Sequence, residues 1–281
     1  MAYECFDVTT SDKIAHIQMS RPEALNSMIP SFWRELPEIV NEISDAGEAR
    51  AIVLSSTGRH FCAGMDLSVF GGGDAVSGAS GAEEGRRNAN LRYNALHLQD
   101  TFTALERARM PVLAAIQGGC VGGAIDMITA ADMRYATADA WFCIQEINIG
   151  MTADVGTLQR LPKIIPEGVA REWAYTGDRI PAQRAREVGL VNEVFDTHED
   201  LVDGVLDIAG RIAAKSPLAI WGTKESINFT RDHSVADSLN FIATWQSGMF
   251  RAPDMVESFT AMEKKETPTF EDLPPVRRGL E

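Results

Sequence analysis

The sequence predicts an α/β fold with a C-terminal helical region, and three features predict it. Apolar runs of strand length alternate with segments of helical period up to about residue 196. From residue 197 onward the apolar period is helical throughout. The chain has 281 residues and is 45% hydrophobic, enough for a packed core. The expected division is therefore an α/β core over 1–196 and a helical region over 197–281.

Residues 13–19 alternate, with Ala15, Ile17 and Met19 on one face, and read as a half-buried strand broken by Arg21-Pro22. Ser31 is placed to cap a helix running to about residue 44, with a kink at Pro37. Residues 51–55 form a short apolar strand that exits into the loop 58–67. Between 71 and 90 the composition turns to Gly, Ala, Ser and charge without an apolar period, which predicts a mobile surface loop. Leu91, Ala95, Leu98, Phe102, Leu105 and Ala108 then mark one face of a long helix that stops before Pro111.

Residues 112–116 read as a buried strand feeding a small-residue loop, 118–126, where a helix can start close against other backbone. Short strands are expected at 133–136, 140–144 and 190–195, and a helix at 152–161 stopped by Pro162. Four helices follow at 199–214, 217–230, 235–250 and 253–265.

Forty acidic against 26 basic residues give a formal charge of −14, which argues against nucleic acid or an anionic membrane as partner. A phosphate-bearing ligand would need a local basic patch or free backbone N–H groups. No apolar run approaches the roughly 20 residues of a membrane span. The first twelve residues hold acids and no Arg, unlike a signal or transit peptide, and the chain ends Arg278-Gly279-Leu280-Glu281 rather than Ser-Lys-Leu; the expected location is cytoplasmic. Cys5, Cys62, Cys120 and Cys143 form no C-x-x-C pair and read as reduced, buried thiols, so no metal site is expected. The histidines, His16, His60, His97, His198 and His233, are scattered, and neither a G-x-S-x-G elbow nor an H-E-x-x-H motif occurs.

Two glycine-containing loops, 61–67 and 118–126, follow apolar strands. Such exits leave N–H groups free at helix starts, and two converging N–H groups suit an enolate or thioester oxyanion. Close helix–strand packing explains each loop equally well. Neither matches G-x-G-x-x-G or a P-loop. Asp126, Glu146 and Asp154 stand among apolar or small residues. Buried carboxylates shift their pKa, and one held neutral beside one held ionised makes an acid and a base. Asp154 also fits a helix cap; Asp126 and Glu146 also fit structural carboxylates paired with Arg134 or with a backbone N–H.

Three motifs resemble the crotonase, or enoyl-CoA hydratase/isomerase, superfamily: Arg21-Pro22-Glu23-Ala24-Leu25-Asn26, Phe61-Cys62-Ala63-Gly64-Met65-Asp66-Leu67, and residues 118–126 continued to Arg134. The likeness runs from about residue 14 to residue 270. Within the superfamily, residues 118–126, Gln145-Glu146 and the run from Ala153-Asp154 to Lys163 are most similar to the dienoyl-CoA isomerase branch. The resemblance implies a spiral of β-β-α units and C-terminal helices that build a homotrimer or a dimer of trimers. It implies an oxyanion hole from the N–H groups of Met65 and Gly123. Ala63, Gly64, Asp66, Leu67, Ser68 and Ala124 would line an acyl-CoA site, with Ala24 and Leu25 near the adenine or pantetheine. Lys264 or Lys265 would reach CoA phosphates, although a solvated lysine pair fits as well. No cofactor is implied beyond the CoA of the substrate.

The implied activity moves the double bonds of a 3,5-dienoyl-CoA to the 2,4 positions, in fatty-acid β-oxidation, with Asp126, Glu146 and Asp154 as its three acids. A hydratase would carry glutamates at the first two positions and a small or apolar residue at the third, so Asp154 favours isomerisation. Hydration of a 2-enoyl-CoA, or an acyl-CoA-binding protein without catalysis, are the alternative readings. Ala124 stands where glycine is common in the family and Met65 where isoleucine or alanine is. Because the implied donors are backbone groups, these departures bear on pocket shape.

Overall fold

The computed structural model describes residues 3–70 and 83–276. Its main sheet has six strands: β1 (Phe6–Ser11), β2 (Ile14–Met19), β3 (Ala51–Ser56), β4 (Val112–Ile116), β6 (Met133–Thr137) and β9 (Glu193–Phe195), adjacent in that order. Only β1 and β2 pair antiparallel; every other neighbour is parallel. A second sheet holds β5 (Gly119–Val121), β7 (Trp141–Cys143) and β8 (Ile180–Pro181).

Strand periodicity sorts the core into two layers. Ala51 and Val53 of β3, with Leu113 and Ala115 of β4, face α7 (His198–Ala213), whose Leu201, Val205 and Ala209 are fully buried against them. Ile52 and Leu54, which alternate with them, face the main cluster around Phe32, Leu36, Phe102 and Ile125. The β4–β5 pair leads into α3 (Gly123–Thr129), and the β6–β7 pair into the turn Gln145–Ile149 and α4 (Thr157–Arg160). These are successive β-β-α turns of a spiral.

The helix α1 (Pro30–Ala46) begins on Pro30, not on a Ser31 cap; the Ser31 hydroxyl donates instead to Glu4. Pro37 lies inside it and cannot donate to the Trp33 carbonyl one turn back, and the Thr101 hydroxyl takes that place at 3.1 Å. Thr101 belongs to α2 (Glu84–Arg107). The expected loop at 71–90 is corrected in part: Glu84 to Asn90 are helical, the Glu83 carboxylate accepting the Gly85 N–H at 2.7 Å as cap. Residues 71–82 lie outside the described ones.

The helix expected at 152–161 is confined to α4, followed by a 3-10 turn at Leu161–Lys163. Gly156, at φ +141°, stands before the first helical residue, so Asp154 lies outside the helix and does not cap it. The strand expected at 190–195 shrinks to β9, because the Leu190 and Val191 N–H groups turn back to the Ala185 carbonyl at the end of α6 (Ala182–Glu187). Sequence periodicity did not reveal β1, which buries only Phe6, nor α5 (Glu167–Thr176), which buries only Ala170 and Trp173.

After α7 come α8 (Pro217–Thr230), α9 (Val235–Met249) and α10 (Ala252–Lys264), close to the expected spans. The Lys224 ammonium on α8 is buried, donating to the Leu105 and Met110 carbonyls at 2.9 and 3.0 Å and pairing with Asp132 at 2.8 Å. A buried cation tolerates this position because each of those acceptors compensates its lost hydration. Leu201→Ala removes a fully buried side chain at the α7–sheet contact. Urea unfolding should register a loss of about 2–5 kcal/mol, the usual range for such a truncation.

Candidate active site

Strands β5 and β7 are parallel, with Val121 opposite Cys143, so the residues that follow each strand emerge at the same end of the small sheet. Gly122 and α3 follow the first; Glu146 follows the second. A Cβ on Gly122, whose φ is +56°, would lie 3.2 Å from Glu146 Oε1, which places this carboxylate beside the start of α3.

Backbone hydrogen bonds join two further segments to that end. Cys62 donates to the Gly119 carbonyl and accepts from Val121, both at 3.1 Å. Ala63 donates to the Leu25 carbonyl at 3.1 Å, Met28 to that of Gly64 at 2.8 Å, and Asp66 to that of Met28 at 3.1 Å. This pattern turns the Met65 N–H away from Met28. Among the described residues neither the Met65 nor the Gly123 N–H has an acceptor. Gly64, at φ +85°, sits between the two: a Cβ there would be 2.7 Å from the Val121 carbonyl and 3.6 Å from Gly123 N. The glycine thus allows the two donors' segments to touch.

The residues expected around an acyl-CoA ester divide by role. Ala24 ends the turn Pro22–Ala24, and Leu25, exposed and at φ +52°, leads out of it. Ala63 and Gly64 belong to the joined loop, and Ala124 is buried in the first turn of α3. Leu67 and Ser68 open the 3-10 turn Leu67–Phe70. Asp66 is a brace for that turn: it accepts from the Ser27 hydroxyl at 2.7 Å and from Ser68 Oγ and N at 2.6 and 3.0 Å. The Ser68 and Ser27 hydroxyls hold its carboxyl at about 2, so it stays ionised. Lys264 and Lys265 sit at the end of α10 and make no hydrogen bond to these loops.

Asp126 is fully buried on α3. Its Oδ1 accepts the Thr157 N–H at 2.6 Å and so caps α4, while Oδ2 has no partner among the described residues. Burial, then the charge of Glu146, pushes its pKa up to about 7, with the Thr157 N–H pulling the other way and Asp154 adding to the rise. Glu146 is raised by burial and by Asp154, and one of its oxygens is also buried without a partner. Asp154 is exposed at the rim, yet partial enclosure of its carboxyl raises it as well. Its carbonyl accepts from Gln99 of α2 at 2.8 Å. No hydrogen bond joins any two of the three acids; they interact through their fields. Arg134 pairs with none of them, its guanidinium donating to the Leu190, Ala131 and Ile128 carbonyls.

The sequence reading gave three contributors no role of their own. Asn26, buried at φ +52°, accepts from Arg21 N at 2.9 Å and donates to the Thr57 and His60 carbonyls at 2.8 and 3.0 Å. Its short amide tolerates the left-handed turn, which is the available clue. Thr157 acts through its backbone and left no side-chain signal. Gln99 lies on a helix face that periodicity assigned to solvent.

Unengaged N–H donors and carboxylates with raised pKa are the groups that proton transfer next to an oxyanion would require. The profile of the enoyl-CoA hydratase/isomerase family matches residues 9–273, and the chain belongs to that family. It is 41% identical to the human mitochondrial Δ(3,5)-Δ(2,4)-dienoyl-CoA isomerase, over 97% of this chain and 84% of the human protein. The peroxisomal Δ(3,5)-Δ(2,4)-dienoyl-CoA isomerase of Arabidopsis thaliana is 39% identical, over 94% of this chain and 95% of its own length. The crystal structure of an enoyl-CoA hydratase from Bacillus anthracis superposes with a TM-score of 0.84 at 29% identity, covering 95% and 99% of the two chains. Among the described residues, no group of three His, Cys, Asp or Glu side chains could hold a metal ion, and no helix is long and apolar enough to cross a membrane.

A raised carboxyl pKa has a thermodynamic counterpart. In the unfolded chain Asp126 ionises near the ordinary carboxylate range; in the folded protein it ionises at about 7. The stability it contributes is complete below the ordinary range and is lost as pH rises towards 7. In Asp126→Asn this component disappears. Urea midpoints measured from pH 4 to 8 should fall in the wild type relative to this variant, and parallel curves would refute the assignment.

Proposed function

We propose that this chain isomerises 3,5-dienoyl-CoA to 2,4-dienoyl-CoA by carboxylate-mediated proton transfer from C2 to C6. The observation that carries this reading is the third acid: Asp154 shares an electrostatic environment with Glu146 and Asp126 without hydrogen bonding to either. Hydration at one double bond has no use for it. Transfer between carbons four bonds apart needs two acids beyond each other's hydrogen-bond reach.

The thioester carbonyl accepts the Met65 and Gly123 N–H groups, whose lack of other acceptors supports this role. Glu146, beside the start of α3, takes the C2 proton as negative charge moves onto the carbonyl oxygen and the diene. Protonated Asp154 delivers a proton to C6, which leaves the conjugated 2,4-diene. Glu146 then holds one proton and Asp154 has given one; exchange with water at the exposed rim restores both. Asp126 bears the repulsion among the three, since it is the most buried, and tunes its neighbours through their shared field. This scheme uses no cofactor beyond the CoA of the substrate. Ala24, Leu25, Ala63, Gly64, Leu67, Ser68 and Ala124 contact the ester in this reading, and Asp66 shapes the loop. The expected location is the cytoplasm, to be checked by fractionation.

Incubation with 3,5-octadienoyl-CoA should produce the absorbance of a conjugated 2,4-dienoyl ester. Asp154→Asn should lower that rate by at least about a hundredfold, the loss of one positioned acid, while any hydration of 2-enoyl-CoA changes far less. Hydration without diene isomerisation would make the chain a hydratase; ester binding with neither reaction would make it a silent acyl-CoA-binding protein.

We also propose that residues 197–281 form a trimerisation region. Ile227, Val235, Leu239 and Phe259 on α8, α9 and α10, with Phe250 between α9 and α10, are all more than half exposed and line a groove of about 740 Å³. Such an apolar face supports burial against copies of the chain. Light scattering should report a trimer or a dimer of trimers, and Phe259→Asp together with Leu239→Asp should dissociate it; a monomeric wild type would overturn the proposal.

A further inference from the structure

We propose that His60 is a positioning residue: its neutral imidazole, by accepting the Gly119 N–H, holds in register the two segments that present the Met65 and Gly123 N–H groups. The proposed isomerisation is the basis for what those groups do.

The two segments are stitched by few bonds. Phe61 donates to the Gln117 carbonyl at 2.8 Å, Cys62 to that of Gly119 at 3.1 Å, and Val121 to that of Cys62 at 3.1 Å. In this ladder the Gly119 N–H would next meet the His60 carbonyl. That carbonyl is already occupied by Asn26 Nδ2 at 3.0 Å, and the Gly119 N–H goes to His60 Nδ1 at 2.9 Å. Beside the Gln117 Nε2 bond to the Gly58 carbonyl at 3.2 Å, three of these four stitches are backbone bonds, indifferent to pH. The fourth depends on a ring that can gain a proton.

Only the tautomer with its proton on Nε2 can accept at Nδ1; the imidazolium would bring two N–H groups face to face. The ring is set by Trp141 of β7, which packs edge-on at 6.2 Å between centroids and carries the Arg179 guanidinium 4.1 Å over its own ring. Of the charges that face His60, Arg59 on its own loop and Arg179 ahead of β8 oppose its protonation, and Asp139 in the β6–β7 turn favours it. Burial, followed by Arg59, leaves the ring below its ordinary pKa. The acceptor is thus intact at neutral pH and is lost as pH falls through that depressed value.

The test combines kinetics on 3,5-octadienoyl-CoA between pH 5 and 8 with the Gly119 amide resonance of glycine-labelled protein. His60→Leu should lower kcat at pH 8 by about fivefold, the worth of one neutral hydrogen bond, and leave KM within about twofold. In His60→Asn the side-chain oxygen takes the place of Nδ1 and does not titrate, so kcat should stay within about twofold of the wild type and the acid-side decline should flatten. The Gly119 amide should move with pH in the wild type and not in His60→Asn. A His60→Leu enzyme with wild-type kcat, a His60→Asn enzyme as impaired as His60→Leu, or a pH-insensitive Gly119 amide in the wild type would each overturn the proposal. The amide readout needs no turnover. A wild type that converts no diene would sink the activity, and the resonance would still decide the fate of the His60 bond.

Discussion

Backbone lies directly against backbone where Cys62 bridges Cys120, and the site depends on that approach. A side chain at Gly64 would strike the Val121 carbonyl, and one at Gly122 would crowd the Glu146 carboxylate from a left-handed backbone. With hydrogen in their place, a strand of the small sheet, the loop after β3 and the turn after β2 close to hydrogen-bonding distance. Two N–H groups, those of Met65 and Gly123, are left without an acceptor by this stitching among the described residues. Unsatisfied donors are costly in a protein interior, and in the proposed reaction a ligand oxygen offsets that cost.

The three carboxyls extend the same logic to charge. Asp126 sits in the first turn of a fully buried helix, where an ionised carboxylate has one N–H for compensation. Its raised pKa follows from burial first and from Glu146 second. Glu146 and Asp154 lie progressively nearer the rim. The gradient in solvation separates what the three groups can do, although all are simple acids.

Much of this was legible in the sequence. The strand at Val112–Ile116 and the helices after residue 197 follow from period alone, since packing there agrees with local pattern. The three motifs pointed to the segments that meet. What stayed hidden depends on partners remote in the chain. β1 is a strand because β2 offers it an edge, not because its residues alternate. Residues 152–156 look helical, yet the first N–H of α4 is claimed by Asp126, which fixes the helix start after Gly156. The function of His60 is invisible in a list of scattered histidines and emerges only from the carbonyl that Asn26 occupies.

The bond from Thr157 to Asp126 is also a tether. Asp154 and Thr157 are neighbours along an unbranched piece of backbone, whose reach is at most roughly 10 Å when fully extended. With its far end pinned to the buried carboxyl, this short cord limits how far the rim acid can stray from the interior pair. In the proposed reaction, the carbon that receives the proton is then selected by a length of chain, as a compass leg selects a radius. A family that shares one proton-abstracting end could change the site of delivery by changing the cord.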